Sequence, residues 1–276
     1  MLLGAAKYLA ETKNFDGTVQ FIFQPAEEGK GGGEKMIEDG LFDLFPVEEV
    51  YGMHNWPDLE IGKFAIRSGP FFAASDFFEI TINGLGGHAA KPQIAVDPTI
   101  VGSHIVIALQ SIVSRNADPT DQIVVSVTSF ETSSTAFNVI PQTVVLRGTV
   151  RTLSDETRDL AEKRLEEIAR KTGDVFGASV DPVYTRGYPV MTNSVDQTEF
   201  AASVAKSVSG HCEEAPLVMG GEDFSYMAIE RPGAYILIGN GDSAPVHNPN
   251  YNFNDEAISI GCSWWAEIIE KRMPVG

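Results

Sequence analysis

Cysteine is nearly absent from this chain of 276 residues, which holds only Cys212 and Cys262. No disulfide framework is implied, and a small fold that depends on cross-links is excluded. Basic residues are also scarce. Twenty Lys and Arg stand against 38 Asp and Glu, giving a formal net charge of −18. Such a field repels phosphates and argues against nucleic-acid binding. It also means that an anionic substrate needs a positive anchor of its own. Nowhere does the chain show the run of about 20 apolar residues that a membrane-spanning helix requires. Its opening, Met1-Leu2-Leu3-Gly4-Ala5-Ala6, lacks the basic leader of a secretion signal, and charges arrive by Lys7 and Glu11. The cytoplasm is the default compartment. No internal repeat or low-complexity segment is visible.

What is there is the apolar content of a globular protein, 43%, in a length that fits one large domain or two ordinary ones. Leu2, Leu3, Ala6, Leu9 and Ala10 are spaced along one helix face, and no N-cap precedes them. Val19–Phe23 reads as a buried strand, as do Val47–Met53 and Gly62–Ile66. Glu34–Asp39 reads as a short helix closed by Gly40. From residue 74 the pattern changes. Ala74–Asn83, Ile123–Phe130, Thr143–Thr152 and Val180–Tyr184 read as strands, with helices over Asp97–Arg115 and Ser154–Phe176 between them. Asp97-Pro98 and Ser154 have the chemistry of helix starts. This β-α-β-β-α-β order is the ferredoxin-like pattern. Helices at Val195–Val208, Glu222–Ile229 and Glu256–Arg272, with a strand at Ala234–Gly239, follow it. The fold expected is α/β, one domain (1–72 and 187–276) interrupted by a smaller one (73–186).

Gln24-Pro25-Ala26-Glu27-Glu28-Gly29 places two carboxylates just past the first expected strand. Adjacent residues point different ways, so one carboxylate is free to bind a metal while the other moves protons. A solvated surface pair is the plainer reading of any Glu-Glu. Of five histidines, His54, His88 and His247 lie at expected strand ends or in Gly/Pro-rich loops, where functional residues concentrate. His104, inside an apolar helix, and His211, beside a helix end, read as structural. Glu28, His54 and His247 would make a nitrogen/oxygen site for zinc, manganese or a similar divalent ion, a weak signal from spacing alone. Glu222 and Asp223 open a helix, where capping and dipole compensation account for them at least as well as a contact with an active site.

Taken together, Gln24–Gly29, Gly52-Met53-His54-Asn55, Gly86-Gly87-His88-Ala89-Ala90, Phe137–Pro141, Arg147–Thr152, Gly220-Gly221-Glu222-Asp223-Phe224 and His247-Asn248-Pro249 resemble a known family. It is that of the binuclear metal amidohydrolases of the aminoacylase/carboxypeptidase superfamily, in the branch of hippurate hydrolases, N-acyl-amino-acid deacylases and auxin-conjugate hydrolases. The resemblance covers essentially the whole chain. It implies two divalent ions (Mn, Zn, Co or Ni), with Glu28, His54 and His247 as ligands and Glu27 as general base. It implies that His88 reaches the active site of a partner subunit and stabilises the oxyanion there. Asn138 and Arg151 match the pair that holds substrate oxygens, Arg151 taking the carboxylate. The inserted domain matches the family's lid and dimerisation domain, so a homodimer acting on a small N-acyl-amino acid is expected, with no nucleic acid or membrane partner. Arg151 and Asn138 are a hairpin-scale distance apart in sequence and are expected to face one pocket.

The resemblance departs at one point. The family carries a C-x-H-D-x-H stretch just before the segment equivalent to Met1-Leu2-Leu3-Gly4, and this sequence does not contain it. Neither Cys212 nor Cys262 has a matching context, so three of the five expected ligands are present. The expectation is a catalytic domain whose first part is missing, poor binding of two metals and slow hydrolysis. Truncation of a longer hydrolase is one reading. A shortened paralogue acting as a binding or dimerisation protein is another. A dipeptidase or carboxypeptidase of the same superfamily is a third.

Overall fold

The computed structural model describes residues 1–276, which divide into two compact units. Unit 1 comprises Met1–Phe71, Met191–Leu217 and Asp223–Gly276; unit 2 comprises Phe72–Val190 and Val218–Glu222. The mixture of sheets and helices is α/β, as the sequence predicts. Five residues from the returning chain, 218–222, join unit 2, a division that sequence patterning does not contain. The reason is local: Ala73 donates its N–H to the carbonyls of Val218 and Gly220 at 2.9 and 3.0 Å.

Unit 1 holds a four-stranded mixed sheet in the order Val50–Pro57, Gly233–Gly241, Phe64–Ile66, Cys212–Glu214. The first two strands run parallel, with His54 opposite Leu237. Gly233–Gly241 is buried along all but its last residue, as a central strand rich in Ile and Leu must be. Ile236 and Ile238 pack with Phe64, Val204, Ile268 and the fully buried Trp264. Each such aliphatic side chain contributes about 1.5–3 kcal/mol by leaving water. The helix Leu2–Thr12 packs on Glu256–Arg272, and Gly4 permits the approach: a Cβ there would sit 2.6 Å from the Cys262 sulfur. No side-chain cap starts Leu2–Thr12, in keeping with its sequence. No helix is long and apolar enough to cross a membrane.

Val19–Phe23 does not form the strand expected of it. Residues 18–26 pair with no neighbour, and Phe23 is exposed. Strand propensity expresses fit to a pleated, half-buried surface, and without a ladder partner this apolar run has no sheet to join. His54 also differs from expectation. The strand runs Val50–Pro57, so His54 lies inside it rather than beyond its end.

Unit 2 is an antiparallel sheet in the order Ile123–Thr132, Thr143–Thr152, Ala74–Asn83, Ser179–Tyr188. Phe78, Ile80 and Ile82 alternate with more exposed residues on Ala74–Asn83 and meet Ile105, Leu109 and Leu165 from the helices Pro98–Ser111 and Asp155–Phe176. Both helices start as their sequences predict: Asp97 accepts from the Thr99 N–H at 2.8 Å, and Ser154 from the Thr157 N–H at 3.2 Å. His104 is accounted for by its ring contact with Phe176, centroids 4.7 Å apart, and His211 by an exposed pairing with Glu213.

Burial pushes the Cys212 thiol up from 9.0 to about 11. At pH 8 its thiolate fraction is then about 100-fold below that of an ordinary thiol. Iodoacetamide labelling followed by peptide mapping is expected to modify Cys212 about 100-fold more slowly than free cysteine. Labelling as fast as the free amino acid would contradict the burial.

Candidate metal and active site

The Glu-Glu segment is a kinked turn, Glu27–Lys30, not a continuous helix. Ala26 enters it at φ 55, Gly29 lies at φ 78 and Gly31 at φ 61. Left-handed backbone at a non-glycine residue costs free energy and persists only where surroundings enforce it, most often at functional sites. Four non-glycine residues have positive φ, and two of them, Ala26 and His247, flank or form this site. A Cβ on Gly32 would lie 1.6 Å from the Pro25 carbonyl oxygen, so the loop closes on itself only with glycine there.

Unit 1 holds all three expected metal ligands and brings two of them, Glu28 and His247, to each other. His247 Nδ1 lies 3.7 Å from Glu28 Oε1, both largely exposed. Burial holds the His54 ring below its ordinary pKa, against the opposing pull of the Asn55 carbonyl and Glu28. A neutral imidazole is the ligating form. Its Nδ1 is 2.5 Å from the Asn55 carbonyl oxygen, which leaves Nε2 as the free ligand atom. Two imidazole nitrogens and one carboxylate oxygen are a donor set that fits a borderline divalent ion.

Glu27 is half-buried on the other side of the same turn. One of its carboxylate oxygens lies within 4.8 Å of an oxygen of Asp223, which is fully buried. Asp223 does not cap the helix Phe224–Glu230, as its position suggests. Its carboxylate turns back to the Glu27-Glu28 loop, accepting from the Gly33 N–H at 2.8 Å and from the Gln24 side-chain amide. Sequence patterning missed this because the partners lie 190 and 199 residues away. Glu222, its neighbour in sequence, is also buried, which a helix-start residue facing solvent would not be.

In unit 2, His88 and Asn138 come together and Arg151 does not join them. Gly87–His88 pairs with Val139–Ile140, and Ala89 donates its N–H to the Asn138 carbonyl at 3.0 Å. Arg151 lies near the opposite end of the strand Thr143–Thr152, opposite Ser75. Eight residue steps separate Thr143 from Arg151, roughly 26 Å at about 3.3 Å each. Asn138 and Arg151 therefore do not share a pocket within one chain, contrary to expectation: a full strand, not a hairpin turn, lies between them. Arg151 is half-buried on an inner strand and forms no salt bridge. Burial lowers its pKa while the Asp76 charge opposes that shift. Space beside it is kept by Gly221, where a Cβ would come 3.5 Å from Arg151 Nη1 and 2.8 Å from the Ser75 Cβ.

A nitrogen/oxygen donor set beside a turn-held carboxylate, on an α/β unit, is the equipment of a metal-dependent hydrolase. Comparison with known proteins agrees. The model of peptidase family M20/M25/M40 matches residues 1–271. Hippurate hydrolase of Campylobacter jejuni is 39% identical over 276 residues, covering 99% of this chain and 71% of that protein. N-acetylcysteine deacetylase of Bacillus subtilis is 35% identical, covering 97% and 70%. The solved structure of Bacillus subtilis YXEP, a dinuclear metal-binding peptidase of the M20 family, superposes with a TM-score of 0.83 at 29% identity, covering 99% of this chain and 70% of that one. The chain spans 61–71% of the length of the curated relatives it matches. It belongs to the peptidase family M20/M25/M40, whose chemistry is amide-bond hydrolysis.

Proposed function

We propose that this chain hydrolyses the amide bond of N-acyl-amino acids of the hippurate type, with a divalent metal as cofactor. The observation that carries the reading is the approach of His247 to Glu28 on unit 1, with Glu27 on the same turn and His54 in the same unit. The names of the relatives, hippurate hydrolase and N-acetylcysteine deacetylase, support the substrate class. Glu28, His54 and His247 would hold the ion, which is Mn, Zn, Co or Ni in our reading. When bound, it supplies Lewis acidity to the scissile carbonyl. Glu27 Oε accepts the proton of the attacking water and returns it to the leaving nitrogen. Arg151 receives the substrate carboxylate in a forked, charge-assisted pair, the anchor that a chain of net charge −18 needs. His88 donates to the developing oxyanion, and Asn138 holds a substrate oxygen.

A strand's length separates His88 and Asn138 from Arg151, which fits their serving the site of a second copy, and a homodimer is part of the proposal. Two free cysteines fit a reducing compartment, so the cytoplasm remains the proposed location. With three donors of its own, the chain is proposed to bind two ions poorly and to turn over slowly.

The test is glycine release from hippurate with added Mn2+ or Zn2+, beside metal analysis of the dialysed protein. Slow release and poor retention of two ions are expected. No release from any N-acyl-amino acid in a panel would defeat the reading, and two tightly held ions with brisk turnover would defeat its slow-enzyme part. For Arg151→Ala, loss of a charge-assisted pair costs about 1.5–3 kcal/mol, a rise of roughly 10- to 100-fold in KM with kcat little changed. An unchanged KM would remove Arg151 from the substrate site.

A further inference from the structure

The deepest carboxylate beside the proposed active site belongs to a residue with no role in the chemistry above. Asp223 is fully buried, and its two oxygens are used by two donors on either side of one turn. Gln24 precedes Glu27 by three residues; Gly33 follows Glu28 by five, in the first turn of the helix Gly32–Glu38. A buried carboxylate is costly unless hydrogen-bonded, so both contacts are held strongly. The first amides of a helix have no partner within it, and Asp223 supplies one for Gly33 from a distant part of the chain. The approach is tight: a Cβ on Gly33 would lie 2.8 Å from the Asp223 carbonyl oxygen. Between the two tethers runs left-handed backbone at Ala26, Gly29 and Gly31, unfavourable at the non-glycine Ala26.

We propose that Asp223 is the positioning residue of the Glu27-Glu28 turn, clamping it through Gln24 and Gly33 so that Glu27 and Glu28 keep their separate directions. The catalytic consequence rests on the hydrolase reading; the clamp itself does not. Asp223→Ala removes both tethers. Asp223→Asn removes the charge and keeps both hydrogen bonds, because its oxygen accepts from Gly33 while its amide donates to a turned-over Gln24.

The experiment compares amide hydrogen exchange across residues 24–33 and kcat in the full chain and in the two variants. Expected for Asp223→Ala is faster exchange throughout the segment and a fall of about 100-fold in kcat, the effect of a small misplacement, with KM little changed. Asp223→Asn is expected to stay within a few-fold of the parent in both. Unchanged exchange in Asp223→Ala overturns the proposal. So does an Asp223→Asn chain as impaired as the alanine variant, since the charge itself would then be what acts. If Asp223→Ala does not fold, Gln24→Leu cuts one tether at a half-buried position, and unchanged exchange around Glu27 there is equally fatal. Absence of turnover in the parent defeats the hydrolase reading alone, and exchange still decides the clamp.

Discussion

Arg158→Ala lowers the unfolding free energy by about 3–5 kcal/mol, because it strands a buried charge. Asp76 is fully buried and Arg158 nearly so. The guanidinium meets the carboxylate through two bonds, Nε to Oδ2 at 2.9 Å and Nη2 to Oδ1 at 2.6 Å. Tyr184 donates its hydroxyl to the same carboxylate at 2.8 Å and Gly187 its N–H at 3.0 Å, while Arg158 also donates to the Gly187 carbonyl. The pair thus ties the strands Ala74–Asn83 and Ser179–Tyr188 to the first turn of Asp155–Phe176. A buried pair of this kind adds little net stability over an apolar equivalent, yet removing one partner is severe. Urea unfolding followed by circular dichroism measures the effect, and Asp76→Asn in the Arg158→Ala background is expected to recover part of the loss. A loss below about 1 kcal/mol, the level of an exposed pair, would mean that the charge is not buried in solution.

The inserted block was the most legible part of the chain. Its strands alternate with period two, and its helices open on Asp97-Pro98 and Ser154, so local chemistry and tertiary packing agree. Legibility failed where structure depends on a partner far away in sequence. Val19–Phe23 has strand composition, and composition alone does not supply a ladder. His54 lies inside a strand because Val50–Pro57 pairs along its length with Gly233–Gly241, some 180 residues on. The ligand trio is legible from the motifs, not from spacing, and Glu28 and His247 approach each other on unit 1. Asn138 and Arg151 are close in sequence yet apart in space, because an extended strand runs between them. Asp223 stands where a local cap would, and nothing in its neighbourhood reveals Gln24 and Gly33 as its partners.

Glu27 and Glu28 are chemically identical neighbours, one half-buried and the other exposed. Glu27→Gln is expected to lower kcat for hippurate by about 10²–10⁴, the contribution of a positioned general base, while metal content and KM stay near those of the parent. Gln keeps the length and planarity of the side chain, so the turn and its Asp223 clamp survive; what disappears is the ability to take a proton. Glu28→Gln should do the reverse. It weakens a carboxylate donor paired with His247, so the dialysed protein loses metal, and added Mn2+ or Zn2+ restores part of its activity. If both residues were solvated surface carboxylates, both substitutions would be silent. If both were ligands, both would cost metal. Only separate roles give one variant that is loaded and inert beside another that is empty and rescuable. Metal analysis with steady-state rates on concentrated protein distinguishes these cases even when the parent is slow. Near-normal turnover in Glu27→Gln would remove the general base from Glu27.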